Sequence, residues 1–427
     1  MKKTILPSVL FATLAFGEAN LLLVENRTFE QSKFIPDISL VMDASYVSRS
    51  VNDDETPHLE IPGVVHGLLG SHSHAEDSHL TNNAYNGFNL NYAELALSSS
   101  VDPFFSMEGI FHYSQYGTKI DELFFTSTAL GSGLKLKGGQ FNSNFGYLNE
   151  QHHHSYNFAD MPLVYESFLG MHGINEKGIQ LQWIAPTNRY LMVGVEILQG
   201  ENENMFGYSS IHLDDLNSTN PTIDGEDAPS LYVGYIKTSF DIEDTTVLAG
   251  ISYATGSSRA DYSQDEEDAY AFSGDSTLYG VDLVVKHYFD SYSFLILQTE
   301  LLSRDIEGTL YTIDENTKVA TPQSLTKEQS GLYTQLIYGY DKNWKIGLRY
   351  DTIYKNEVVK NSINQNEATN LNKYSAMVEY NTSEFAKFRL QYNRNDALYN
   401  ENGEQQKIDT IIMQVNISIG AHAAHSF

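Results

Sequence analysis

The 427-residue sequence predicts an all-β fold, a transmembrane antiparallel β-barrel of about sixteen strands. Three observations predict it. Apolar residues recur at every second position in segment after segment, the period of a strand with one apolar and one polar face. Short turns alternate with long polar loops, as in barrels with short periplasmic turns and long external loops. Aromatic residues crowd the strand ends (Tyr350, Tyr354, Tyr374, Tyr380, Tyr392 and Tyr399), as expected of girdles at two membrane interfaces.

In chain order, Lys2 and Lys3 precede the apolar run Ile5–Phe16, which is too short to cross a bilayer as a helix. Residues 1–19 therefore read as a secretory signal peptide, 20–33 as a periplasmic lead and 34–427 as an outer-membrane barrel. Candidate strands begin near residues 35, 87, 104, 120, 134, 178, 190, 230, 245, 277, 293, 331, 344, 373, 387 and 409. The clearest is "WKIGLRYDTIY", with Trp344, Ile346, Leu348, Tyr350 and Tyr354 on one face and Lys345, Gly347, Arg349 and Asp351 on the other. "GIQLQWIAP", "KYSAMVEYN" and "KFRLQYN" alternate in the same way. In "GFNLNYAELALSS" the parity slips after Tyr92, which predicts a bulge. Short turns are expected at Val101–Pro103, Gly131–Gly133, Thr187–Arg189, Glu243–Asp244, Ser291–Tyr292 and Lys342–Asn343.

The chain ends with Ile411, Met413, Val415, Ile417, Ile419, Ala421 and Phe427 in one parity. That ending resembles the C-terminal signal read by the outer-membrane assembly machinery, so that machinery and outer-membrane lipid are the expected partners. A homotrimer is compatible with such a barrel. The absence of cysteine excludes disulfides and thiolate metal sites. A net charge of -29 argues against nucleic-acid binding. The chain is too short for a plug domain plus a barrel of about twenty-two strands, which argues against gated active transport. No nucleophile motif accompanies the histidines, so no enzyme is expected.

With the first strand rising from the periplasm, Arg49–Tyr85 becomes the first external loop and Asn149–Asn175 the third. The first carries His58, His66, His72, His74 and His79, and the third carries His152, His153, His154 and His172. Neutral imidazole suits zinc, copper and nickel, and a His-rich tract is a compositional pointer to metal. His66, His72, His74, His79, His152, His153 and His154 are the candidate metal ligands. No rigid spacing signature is present, and exposed polar loops also carry histidine for no metal-related reason. A third loop that folds into the barrel would let the two groups meet. Zinc at these loops is the metal expected, and no cofactor is required.

One stretch carries a family resemblance. Gly138–Pro186 reads "GGQFNSNFGYLNEQHHHSYNFADMPLVYESFLGMHGINEKGIQLQWIAP". It resembles a porin-like Gram-negative outer-membrane family, the zinc-regulated outer-membrane protein group, similar in outline to phosphate-selective porins. Phe145, Gly146, Leu148, Asn149, His152, His154, Phe158, Asp160, Pro162, Leu163, Val164, Gly173, Asn175, Gly178, Trp183 and Pro186 match its pattern. The resemblance implies a porin-like barrel linked to zinc. In residue terms, Asp160 either orients a histidine or caps a turn.

The polar strand faces should line the interior. Lys135, Lys137, Lys345, Arg349, Asp351, Glu379 and Arg389 are the candidate pore-lining residues. Acidic tracts at Asp214–Asp227 and Asp261–Tyr270 would draw cations to the mouth, whereas basic groups deeper in would favour anions. The expected function is passive uptake of small solutes across the outer membrane, with a divalent metal at the histidines. The alternatives are an anion-selective or general porin with no metal role, and a barrel that conducts nothing and binds at the surface.

Overall fold

The computed structural model describes residues 36–66, 82–114, 117–202, 204–264 and 269–420. The signal peptide, the whole of the lead and the C-terminal Ala421 and Phe427 lie outside the described residues. So do His72, His74 and His79.

Sixteen long strands form one closed antiparallel barrel. They are β1 (Asp37–Arg49), β2 (Gly87–Ser100), β3 (Phe105–Ser114), β4 (Gly117–Ser127), β5 (Leu134–Asn142) and β6 (Asn175–Ile184). Next come β7 (Tyr190–Leu198), β8 (Leu231–Ile242), β9 (Thr245–Tyr262), β10 (Tyr270–Tyr288) and β11 (Phe294–Ile313). The last are β12 (Ala320–Gly339), β13 (Trp344–Lys360), β14 (Leu371–Ser383), β15 (Ala386–Tyr399) and β16 (Gln405–Gly420). Each strand pairs with the next, and β1 also pairs with β16 (Ala44 opposite Val415), so no edge is left open.

The alternation read from sequence becomes the two faces of this wall. On β1, Ile38, Leu40, Met42 and Tyr46 are 37–52% exposed, while Ser39, Val41, Asp43, Ser45 and Val47 are buried inward. Along the middle of the wall the outer face is apolar, with ring pairs such as Trp344–Tyr380 and Tyr350–Tyr374 across β13 and β14. Lipid is the solvent that makes such a surface stable.

Strand lengths differ around the ring. β3–β7 have 9–11 residues and β9–β13 have 17–20. At about 3.3 Å per residue and a tilt of about 40°, a strand of about 20 residues rises about 50 Å, well past an apolar belt of about 25 Å. This explains two displaced boundaries. β10 begins at Tyr270 and β12 at Ala320, earlier than the 277 and 331 expected. Those extensions stand clear of the belt, so neither face has to be apolar and the sequence shows no alternation. The ends of the acidic tract Asp261–Tyr270 likewise belong to β9 and β10.

The bulge expected near Tyr92 is present. Asp43 faces Tyr92 and Ala44 faces Leu90, which leaves Asn91 as the extra residue. A second bulge lies on β4, where Ile110 faces Glu122 and Phe111 faces Ile120, so Asp121 is extra.

The connection between β5 and β6, residues 143–174, is the third loop on the long-loop side, and it folds into the bore. Its helix α1 (Leu163–Leu169) starts after Pro162 and stops at Gly170, whose φ is +79°. Leu163, Val164, Tyr165, Phe168 and Leu169 are fully buried. They pack with Leu59, Ile61 and Val64 of the first loop, with Met205 and Phe206 of the loop after β7, and with inward wall residues such as Leu302 and Ile353. Where the wall meets these loops its inner face mixes apolar residues such as Leu302 and Ile353 with buried polar and charged ones such as Glu300, Arg304 and Arg349.

Candidate functional site

The candidate site is the inner face of the barrel together with the third loop that crosses it. Three groups of wall side chains hold that loop.

The first group is basic and lies on β13–β15. Asp160 receives Arg349 Nη2 at 2.8 Å, Lys373 Nζ at 2.6 Å, Gln391 Nε2 at 2.6 Å and Asn393 Nδ2 at 3.0 Å. Burial alone would push the Asp160 carboxyl up, but Arg349 and Lys373 more than offset this and hold it well below the usual range. Among the described residues the Asp160 carboxylate is bound by wall side chains and by neither a histidine nor a turn N–H. It plugs the loop into the basic wall. Arg349 Nη1 also donates to the Asp160 carbonyl at 2.9 Å, and the guanidinium lies 4.7 Å from the Phe158 ring centre. Asp351 binds Arg349 at 2.9 Å and accepts from the Leu163 backbone N–H at 2.9 Å, which covers one open donor at the start of α1. Arg389 donates to the Tyr156 carbonyl at 2.8 Å and pairs with Glu379 at 2.6 Å, and Lys345 reaches Glu379 at 2.9 Å. Lys387 donates to the His154 carbonyl.

Five of the seven residues expected to line a pore thus bind the loop side by side in two clusters: Arg349 and Asp351 around Asp160, and Lys345, Glu379 and Arg389 below the Tyr156 carbonyl. All but Lys345 are buried. The other two stand apart on β5. Lys137 lies 4.5 Å from the Phe124 ring centre, and Lys135 is exposed near the turn.

The second group is a single carboxylate. Glu300 on β11 accepts from the Tyr147 N–H at 2.8 Å, the Leu148 N–H at 3.0 Å, the Tyr165 hydroxyl at 2.7 Å and the Tyr333 hydroxyl. Gly146 sits beside it with φ +64°, and a Cβ there would strike the Tyr165 hydroxyl and Glu300. Only glycine lets the chain pass. Arg304, one strand turn further along β11, donates to the carbonyls of Phe168 at 3.3 Å and of Val64 in the first loop at 3.0 Å. Gln329 and Asn356 bind the Gly63 and Pro62 carbonyls at 2.9 and 2.8 Å. The first loop is thus drawn inward by three wall side chains in succession.

The third group is acidic and lies on β2–β4. His152 and His154 of the loop approach Glu94 (β2), Asp121 and Glu122 (β4), with His112 (β3) between them. His112 Nε2 is 3.1 Å from Glu94 Oε2 and 3.9 Å from Asp121 Oδ2. His152 Nδ1 is 3.5 Å from Asp121 Oδ2 and 3.8 Å from Glu94 Oε2, and its Nε2 is 3.8 Å from Glu122. His154 Nδ1 is 3.3 Å from Glu94 Oε2. Burial opposes charge on His152, yet Asp121, Glu94 and Glu122 carry its pKa up to about 10. His153 is different. Burial pushes it down to about 4, and as a neutral ring it accepts from the Asn82 amide at 2.7 Å and donates to the Met171 carbonyl at 3.1 Å.

Asn82 belongs to the first loop, and its neighbour Asn83 donates to the Ala159 carbonyl at 2.9 Å. The first and third loops therefore touch at Asn82 and Asn83, while His72, His74 and His79, expected to meet the third-loop histidines, lie outside the described residues. His66 lies on a short strand whose backbone pairs with Glu60. Sequence reasoning singled out His152–His154 but not Glu94, His112, Asp121 or Glu122. The available signal was the slipped parity, because a bulge turns two consecutive residues to one face. Two cavities, of about 30 and 60 Å³, lie between loop and wall, and Asn82, His153, Met161 and Met171 line both.

A closed antiparallel ring of sixteen strands, apolar outside and polar inside, with one long loop folded into its bore, defines the class: a transmembrane β-barrel of the outer-membrane type. An uncharacterized protein of Aquifex aeolicus (strain VF5) is 42% identical over 400 residues, covering 93% of this chain and 81% of that protein. The chain belongs to the same family as that protein. No family model matches. The outer-membrane channel DcaP of Acinetobacter baumannii shares the fold, with a TM-score of 0.50 and 12% identity over 90% of this chain and 96% of that one. The outer-membrane protein OmpT of Vibrio cholerae gives a TM-score of 0.48 and 10% identity over 90% of this chain and 97% of that one.

Proposed function

We propose that the protein is an outer-membrane channel through which small solutes pass passively, and that histidines of its loops bind a divalent metal, zinc first. One observation carries the channel reading: the third loop is folded into a polar-walled bore and tied there by charged side chains, so it sets the width of the passage. The fold shared with DcaP, a channel by its own description, supports this reading. The imidazoles at His152 and His154 support the metal reading.

A second reading is favoured by the packing of the first and third loops, which fill part of the bore with apolar side chains. On that reading the barrel conducts nothing and binds at the cell surface. Recording from the purified full-length protein in planar lipid bilayers decides between them. Stepwise conductance is expected, and a silent barrel would overturn the channel. Reversal potentials under a salt gradient then report the ion preference, with the basic residues on β13–β15 favouring anions.

A further inference from the structure

We propose that the bore carries a zinc-type metal site formed by His112 on β3, His152 and His154 on the third loop, Glu94 on β2 and Asp121 on β4. The proposal rests on the metal half of the reading above. It moves that metal from the exposed His-rich loops to a junction between the third loop and the wall.

Three observations carry it. The first is spacing. Around Glu94 Oε2 the three histidine nitrogens stand at 3.1, 3.3 and 3.8 Å, and around Asp121 Oδ2 two of them stand at 3.5 and 3.9 Å. Neighbouring ligands of a tetrahedral zinc with bonds of about 2.0–2.1 Å are about 3.3 Å apart. The histidine–carboxylate pairs thus stand at that separation or a few tenths of an ångström beyond it. Among the described residues no three of them surround one point as bound ligands do. The set is held instead by His–carboxylate contacts, which an entering ion replaces.

The second observation is how the wall is made. The bulge residue Asp121 lets Asp121 and Glu122 both turn inward, which a regular strand forbids. The bulge at Asn91 sits three residues before Glu94 on the neighbouring side of His112. Two irregularities therefore flank one histidine and bring carboxylates to it from both adjacent strands.

The third is the choice of partner. Every ion pair of Glu94, Asp121 and Glu122 among the described residues is with a histidine. On the opposite side of the bore the carboxylates Asp160 of the loop and Asp351 and Glu379 of the wall pair with Arg or Lys instead. Arginine and lysine would neutralise a buried carboxylate equally well, but they cannot coordinate a metal. Imidazole with carboxylate is the donor set of zinc, nickel and copper rather than of calcium or magnesium.

The site has a consequence. A metal shared by His152, His154 and three wall strands staples the third loop to β2–β4, so its occupancy steadies the element that sets the passage.

Zinc titration by calorimetry on the full-length, detergent-folded protein tests this. Wild type is compared with an H112Q/D121N double variant and with an H72A/H74A/H79A variant. Heat-modifiable electrophoretic migration checks that each barrel is closed. One zinc per chain is expected, with affinity lowered in the double variant by more than the roughly 10–100-fold that losing an outer-shell partner costs, and unchanged in the triple variant. Equal binding by wild type and double variant, loss in the triple variant alone, or no zinc binding by wild type would each overturn the site. If the double variant does not fold, anomalous scattering from Cd²⁺-soaked wild-type crystals locates the ion directly. A peak between His112 and His154 supports the proposal, and a peak elsewhere or no peak overturns it. Bilayer recording of the same preparations keeps the two readings apart: conductance without zinc binding removes the site and leaves the channel, and zinc binding in a silent barrel does the reverse.

Discussion

The two sides of the bore hold one loop with opposite chemistry. On β13–β15 the wall is basic, and the loop answers with the Asp160 carboxylate and with backbone carbonyls of His154, Tyr156 and Met161. On β2–β4 the wall is acidic and the loop answers with imidazoles. The basic side is closed: Asp160 has four side-chain donors at 2.6–3.0 Å. The acidic side is looser, with most contacts at 3.3–3.9 Å. Short charge-assisted bonds in a buried site fix geometry, whereas His–carboxylate contacts at longer range can exchange a proton for a metal. One side is built as an anchor and the other as an adjustable contact.

This difference can be broken most severely on the anchor side. D160A leaves Arg349 and Lys373 short of their shared anion in a buried place, and breaking such a pair costs about 3–5 kcal/mol. A matching loss of stability is expected in urea unfolding of the lipid-reconstituted barrel, with noisier single-channel currents. Unchanged stability would mean that the anchor is not buried in membranes. E300Q should rank next. It replaces an acceptor oxygen by an N–H₂ facing four donors, for about 1–3 kcal/mol by the same unfolding measurement. A result equal to wild type would remove Glu300 from the set of loop anchors.

On the acidic side E122Q should cost least of these, about 1 kcal/mol or less, since its amide oxygen still accepts from the Asn142 N–H. A cost matching D160A would erase the contrast between the walls.

A further effect concerns pH. Burial raises the Glu166 carboxyl on α1 from 4.5 to about 7, with Lys373 pulling the other way. Between these values the folded chain binds more protons than the unfolded one. Stability from this group is therefore full below about pH 4.5, falls as pH rises toward 7 and is level above it. The stability difference between wild type and E166Q, followed from pH 4 to 8, should show that slope. A difference independent of pH would mean that Glu166 titrates as an exposed carboxyl.

Much of the barrel was legible beforehand because lipid on one side and water or protein on the other impose a period of two. Trp344, Ile346 and Leu348 face out and Arg349, Asp351 and Glu379 face in, as their alternation requires. The strand beginnings at 87, 134, 190, 245 and 344 coincide with those observed, whereas β10 and β12 start earlier because their extensions leave the apolar belt. The site was legible only in part. His152–His154 stand out as a run, and Tyr92 marks a slipped register.

What the sequence by itself determined is the wall: which residues face lipid, how many strands there are and where the turns fall. Local period and turn chemistry settle those, strand by strand. Only the tertiary structure decided what the loop meets. Asp160 is separated by 189 residues from Arg349, and His152 by 58 from Glu94. No local pattern couples positions so far apart. Closure of the ring and the inward fold of one loop bring them within reach, and burial then makes each charge seek its partner.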